Sequence, residues 1–177
     1  MNATGTMKNF YGKYRGTVVQ NIDPELRGRL LIIVPDVLGL VPSSWAEPCV
    51  PLAGPTGPPM GVYLVPPIGA GVWVEFEHGD PEKPIWVGCR WDQPANVPPL
   101  AHAGLPVSPN IVLQTAGQNS LVISDLPGPT GGIMLKSLTG ATIIVNDTGI
   151  YIQNGKGASL TLIGPTITIN NGALTIT

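Results

Sequence analysis

From residue 110 onward the chain repeats a short alternating segment: Ile111-Val112-Leu113, Leu121-Val122-Ile123, Ile133-Met134-Leu135, Ile143-Ile144-Val145, Ile150-Tyr151-Ile152, Leu160-Thr161-Leu162, Ile167-Thr168-Ile169 and Leu174-Thr175-Ile176. The spacing averages about nine residues, with Gly, Asn, Asp or Pro between segments. Each repeat therefore predicts one short strand and one tight turn. Side chains alternate faces along a strand, which puts the first and third residue of every segment on one side. Those positions hold Ile or Leu, with Val145 the exception, and are the candidates for an apolar core. The middle position drifts from Val, Met, Ile and Tyr to Thr161, Thr168 and Thr175, which keeps a thin β-structure soluble without charge.

Ahead of this array, strands are predicted over 12–20, 28–34, 62–65, 71–77 and 84–89, each bounded by turn residues. Five short strands in about 80 residues suggest a small barrel or sandwich. The clearest hairpin starts at Val72-Trp73-Val74-Glu75-Phe76-Glu77, with Val72, Val74 and Phe76 on one face. His78 to Pro84 reverses the chain, Asp80 and Pro81 suiting the first two positions of a type I turn. No window carries a 3.6-residue apolar repeat free of Pro and Gly, so helix content is expected to be very low. Between the regions, Pro94, Pro98, Pro99, Pro106 and Pro109 bar a continuous helix or central strand, and 93–109 reads as an extended linker. The expected organisation is an N-terminal extension over 1–13, a barrel over 14–92, the linker over 93–109 and a needle over 110–177.

Composition sharpens this picture. Only 11% of the residues are charged, against about 25% in an average soluble domain, and beyond residue 107 only Asp125, Lys136, Asp147 and Lys156 remain. A surface so poor in charge implies that other copies of the chain cover it. The net charge of -2 offers phosphate backbones no attraction, so nucleic acid is not an expected partner. No signal-peptide core follows Met1, and no apolar run approaches the length of a transmembrane helix, which predicts assembly in the cytoplasm. Cys49 and Cys89 are too few and too far apart for a disulfide framework or a zinc pair, and are read as small buried hydrophobes.

A lone meander of three-residue strands buries too little and leaves open edges. Three copies winding about a common axis would pair every strand with a neighbouring chain and bring the Ile and Leu faces into one narrow core. The expected fold is therefore all-β, a small barrel followed by a homotrimeric, triple-stranded β-helix. Ile143 and Ile167 are expected to point at its three-fold axis.

The run from Ile68 to Gly88, with Gly69, Val72, Val74, Phe76, Gly79, Asp80, Pro81, Pro84, Val87 and Gly88, resembles the oligonucleotide/oligosaccharide-binding (OB) barrel of phage baseplate assembly protein V. The same barrel occurs in the valine-glycine repeat protein G spikes of type VI secretion and in related contractile injection systems. Upstream, Gly16-Thr17-Val18, the stretch from Asp23 to Leu30, Trp45-Ala46-Glu47-Pro48 and Ala53-Gly54 fall where that pattern would put them. The resemblance implies a trimeric central spike at the tip of a contractile tail, in a virion or injection particle. Its barrel would sit under a separate tail hub protein, and its needle would puncture the target envelope when the sheath contracts. Unlike some members of that family, this protein is expected to carry neither a fused hub-like domain nor an inserted lysozyme domain. The resemblance also implies a conical PAAR-repeat-like tip cap, since no His, Cys or Met follows Met134 to close an apex with metal and the sequence stops at Thr177.

Candidate chemistry is sparse. His78 beside Glu77 and Asp80 is explained by a solvated hairpin, His102 has no partner in sequence, and Glu47 beside Trp45 lacks the second carboxylate that glycoside hydrolysis needs. No nucleophile elbow and no phosphate loop occurs. No catalytic, metal or cofactor residue is assigned, and the protein is not expected to be an enzyme. Trp73, Trp86, Trp91 and Tyr63 could form a stacking face, but Arg27, Arg29, Lys83 and Arg90 are balanced by Glu25, Glu75, Glu77 and Glu82, and the aromatics fit a core or inter-subunit role. The rival readings are an OB-fold module that grips a glycan or nucleic acid, with the tail as a trimerisation stalk, and a β-helical glycan-degrading tailspike.

Overall fold

A computed structural model describes residues 8–54 and 57–176. The first seven residues of the expected N-terminal extension and the terminal Thr177 lie outside them. The chain divides between Asp92 and Gln93 into two compact units.

The first unit holds β1 (Tyr14–Gln20), β2 (Leu31–Ile33), a single helical turn α1 (Pro35–Leu38), β3 (Glu47–Pro48), β4 (Ala53–Gly54), β5 (Met60–Gly61), β6 (Gly71–Phe76) and β7 (Pro84–Arg90). The main sheet runs β2-β1-β6-β7-β3, antiparallel except for the β3 and β7 pair. Bridges from Leu30 to Ala46 and from Ile33 to Pro42 tie β2 to the segment that leads into β3, so the sheet closes on itself as a barrel. Alternation fills its interior: Val18, Leu30, Ile32, Val34, Ala46, Val72, Val74, Phe76 and Trp86 form the buried core. Gly16 permits this closure, because a Cβ there would sit 2.5 Å from Ile32 Cγ2.

The β6–β7 hairpin forms as its pattern predicts. Lys83 N donates to Asp80 O and Glu82 N to Asp80 Oδ1, closing the Asp80-Pro81 turn. The expected strand over 62–65 does not form. A single backbone bond, Val62 N to Leu52 O, ties this run to β4's approach. It does not alternate, Tyr63 and Leu64 both stand exposed, and Pro66 and Pro67 end it.

The second unit is one eight-stranded antiparallel meander in sequence order: β8 (Ile111–Gln114), β9 (Ser120–Ser124), β10 (Gly132–Lys136), β11 (Thr142–Asn146), β12 (Gly149–Gln153), β13 (Ser159–Ile163), β14 (Thr166–Ile169) and β15 (Leu174–Ile176). Every described strand here pairs with its neighbour in the same chain. Most strands reach four or five residues, and tight turns let consecutive ones pair directly. Nor is 93–109 extended. Pro94–Asn96 and Pro99–Ala103 wind into 3-10 turns, for which proline presets φ at the first position. Asn110 ties them to β8, its N–H donating to Ala101 O and its Nδ2 to Leu100 O.

Candidate assembly surface

The register of the meander aligns the sixteen core candidates on one face in two unbroken cross-strand rows. One row runs Ile111, Ile123, Ile133, Val145, Ile150, Leu162, Ile167 and Ile176. The other runs Leu113, Leu121, Leu135, Ile143, Ile152, Leu160, Ile169 and Leu174. Directly opposed β-branched and Leu pairs stabilise antiparallel strands. The rows nevertheless remain open: exposure runs from 37% at Ile150 to 64% at Ile111 among the eleven most exposed. A continuous apolar face of this kind marks a surface that another molecule covers. A shallow groove of about 620 Å³ lies along it, floored by Leu121, Leu135, Ile143 and Ile152.

The strand ends are fixed to one another. Asn119 Oδ1 accepts from Leu138 N, Asp147 Oδ2 from Gly128 N and Asn170 Oδ1 from Ser159 N, so turns on the same edge are stapled two strands apart. Gly132 makes such close contact possible. Its φ is +84°, and a Cβ would lie 2.1 Å from Val145 O. These polar residues punctuate the sequence as turn formers, and nothing in their spacing announces the staples.

In the barrel, the residues that match the OB pattern do structural work. Val72, Val74, Phe76 and Pro84 are buried, Gly79 accepts a hydrogen bond from Phe10 N, and Trp86 donates its indole N–H to Gly28 O at 3.1 Å. Gly69, Val87 and Gly88 lie at the loop before β6 and within β7. The most connected polar group is Asp23, buried in the loop between β1 and β2. Its carboxylate accepts from Glu25 N, Arg27 N and Arg29 N, and from Arg29 Nε and Nη2 at 3.0 and 2.7 Å. Chiefly because of the Arg29 guanidinium, its carboxyl titrates well below the usual carboxylate range. Arg29 also lies over the Trp45 ring, 5.5 Å from its centroid, and pairs with Glu25. The clamp holds Leu26 in the left-handed region, 82% exposed.

The other candidates do not converge. Trp86 faces the core, Trp73 lies under Arg15 on the outside of the barrel, and Trp91 and Tyr63 are exposed. Arg27 bridges Glu25 and Glu47, Lys13 pairs with Glu75 and Arg90 with Asp92. His78 stands exposed, 4.0 Å from Glu77, and His102 lies exposed in the second 3-10 turn. Among the described residues no cluster of His, Cys, Asp and Glu suits a metal ion, and no helix is long and apolar enough to cross a membrane. Cys49 and Cys89 are free and exposed, not buried. Cys49 follows the two-residue edge strand β3 and Cys89 lies near the end of β7, where neither is enclosed by the core.

Two family models match this chain. Residues 14–91 match the type VI secretion system/phage-baseplate injector OB domain, and residues 110–175 match the phage baseplate V C-terminal trimerisation domain. The chain belongs to the phage baseplate V family. It is a structural baseplate protein in which an OB domain precedes a domain for homo-oligomerisation. The baseplate V OB model spans the closed barrel with its Asp23 clamp, and the baseplate V trimerisation model spans the meander and its open apolar face. No curated protein matches the chain.

Proposed function

We propose that the protein is a homotrimeric central spike at the tip of a contractile tail baseplate. The observation that carries this reading is the pair of exposed apolar rows within the trimerisation domain. Three such faces, packed about one axis, bury the rows together and leave the Thr161 and Thr168 side outward. The chains then associate by their faces, each keeping its own hydrogen-bonded meander. Stiffness follows from stapled turns and a continuous core, and stiffness is what a part driven by sheath contraction needs in order to puncture an envelope. In this reading the OB domain docks under a separate hub protein and a PAAR-repeat-like protein caps the β15 end. The spike acts mechanically, without catalysis.

Light scattering of the purified protein, before and after mild SDS at room temperature, tests the assembly. A mass three times 18.5 kDa that survives SDS is expected, and a monomer refutes the spike. Cryo-EM of an intact particle then tests the placement: density for the needle on the tail axis below the hub is expected. Density elsewhere in the particle would sink the puncturing role, and a needle ending bare would remove the cap.

A further inference from the structure

Two Asn-Gly steps occur in turns of the meander, Asn154-Gly155 between β12 and β13 and Asn171-Gly172 between β14 and β15. Glycine after asparagine leaves the main-chain nitrogen unobstructed, so both steps are open in principle to the same reaction. The Gly nitrogen attacks the Asn side-chain carbonyl carbon, the new C–N bond closes a succinimide, and ammonia leaves. Water then opens the ring, giving Asp or, when the other carbonyl is attacked, isoaspartate. No oxidant or enzyme is required.

The structure separates the two steps. Asn154 is pinned: its Oδ1 accepts from Lys156 N at 2.8 Å and from Ala158 N at 3.0 Å, and its own N–H donates to Ala158 O. Gly155 is packed so closely against the neighbouring turn that a Cβ would lie 2.6 Å from Thr139 O. The strands on either side have five residues each. Asn171 has none of this. It is exposed at φ +55°, makes no side-chain hydrogen bond with a described residue, and precedes a Gly172 with open space around it. Its turn is closed by one 3.3 Å backbone bond, Ala173 N to Asn170 O, and leads into a three-residue edge strand.

We infer that Asn171-Gly172 is a self-modifying site, a hydrolytic deamidation step at the last turn of the needle, whereas Asn154-Gly155 is protected by its fold. Ring closure requires the backbone at Asn171 to swing out of the left-handed conformation, so the rate reports opening of this turn. An isoaspartate there routes the main chain through an extra methylene, immediately before the Ile169-Leu174 and Ile167-Ile176 pairs that hold β15. The modification also places a carboxylate where the distal meander carries none after Asp147.

The test is peptide mass spectrometry on the full-length protein held at mildly alkaline pH, native and in denaturant. Expected in the native protein is the mass gain of amide-to-acid hydrolysis at Asn171 with Asn154 unchanged. In denaturant both steps should react at similar rates, since both have Gly next. Reaction at Asn154 as fast as at Asn171 in the native protein, or no reaction at Asn171 over a period in which the denatured chain reacts, overturns the inference. Asn171→Ala should abolish the modification and leave the mass in solution unchanged. Should that variant fail to fold, the native-to-denatured comparison on the unaltered chain decides alone.

Discussion

Placing Asp at position 143 tests the apolar face where both rows continue on either side. Ile143 pairs with Leu135 and Ile152, and 43% of it stays exposed in a single chain. Full burial of an Ile side chain is worth about 1.5–3 kcal/mol, so covering the remaining two-fifths contributes roughly 1 kcal/mol per chain and roughly 3 kcal/mol over three. A carboxylate in its place costs far more than this loss. Taking an unpaired charge out of water costs several kcal/mol even after relaxation, so three that face one another cost on the order of 10 kcal/mol or more. That rivals the entire stability of a typical domain, about 5–15 kcal/mol. Ile143→Asp should therefore abolish assembly at neutral pH while the OB domain stays folded. Thr142→Asp is the control. It lies one residue earlier, on the opposite face, opposite Lys136 in the β10–β11 register, and should keep the assembled mass. The acid side supplies a second check. Buried, mutually repelling carboxyls have a pKa above their unfolded value near 4, so the penalty is present above the raised pKa and fades as pH falls through it. The Ile143→Asp chain should regain assembly in mild acid. A trimer that melts like the parent at neutral pH would refute the assigned face.

Two further outcomes follow from the geometry. Asp23→Asn replaces an acceptor oxygen with a donor that faces five N–H groups, and should lower the melting temperature of the OB domain. Because the native carboxyl titrates below its ordinary 3.8, its contribution is complete above that value and is lost progressively as pH falls from there through the depressed one. Melting measured against pH should show the variant's deficit constant from neutrality down to about pH 4 and shrinking below. Gly131→Ala sets a Cβ 1.5 Å from Leu126 O and should destroy cooperative melting of the meander, whereas Gly157→Ala, at φ +102° in open space, should cost only about 1–2 kcal/mol of backbone strain by the same calorimetric measure.

Periodicity made the face legible but not its partners. Alternation of Ile and Leu through Ile111 to Ile176 determines which side chains point together, and the register aligns all sixteen. The same alternation serves equally for a strand from the same chain or another, so pairing within the chain could not be read from it. The β6–β7 hairpin was readable because Asp80-Pro81 has a specific turn chemistry. The run over 62–65 misled because apolar, β-branched residues without alternation resemble a buried strand until exposure is known. The Asp23 clamp depends on an arginine six residues away folding back over a loop, and no local rule encodes that contact. The prolines of 93–109 bar helices and central strands but permit 3-10 turns, which is what they form.

The strict succession of strands in the meander makes the length of the trimerisation domain a modular quantity. Each strand adds one residue to each apolar row and one interstrand spacing, about 4.8 Å, to the sheet. A hairpin can be inserted or removed without flipping the faces, because two strands restore chain direction and leave both rows continuous. The domain's reach can thus change in steps of about 10 Å through duplication or loss of short gene segments, while barrel and mode of association stay as they are. Contacts between sequence neighbours also let such a sheet zip up from either end, so added length slows folding little.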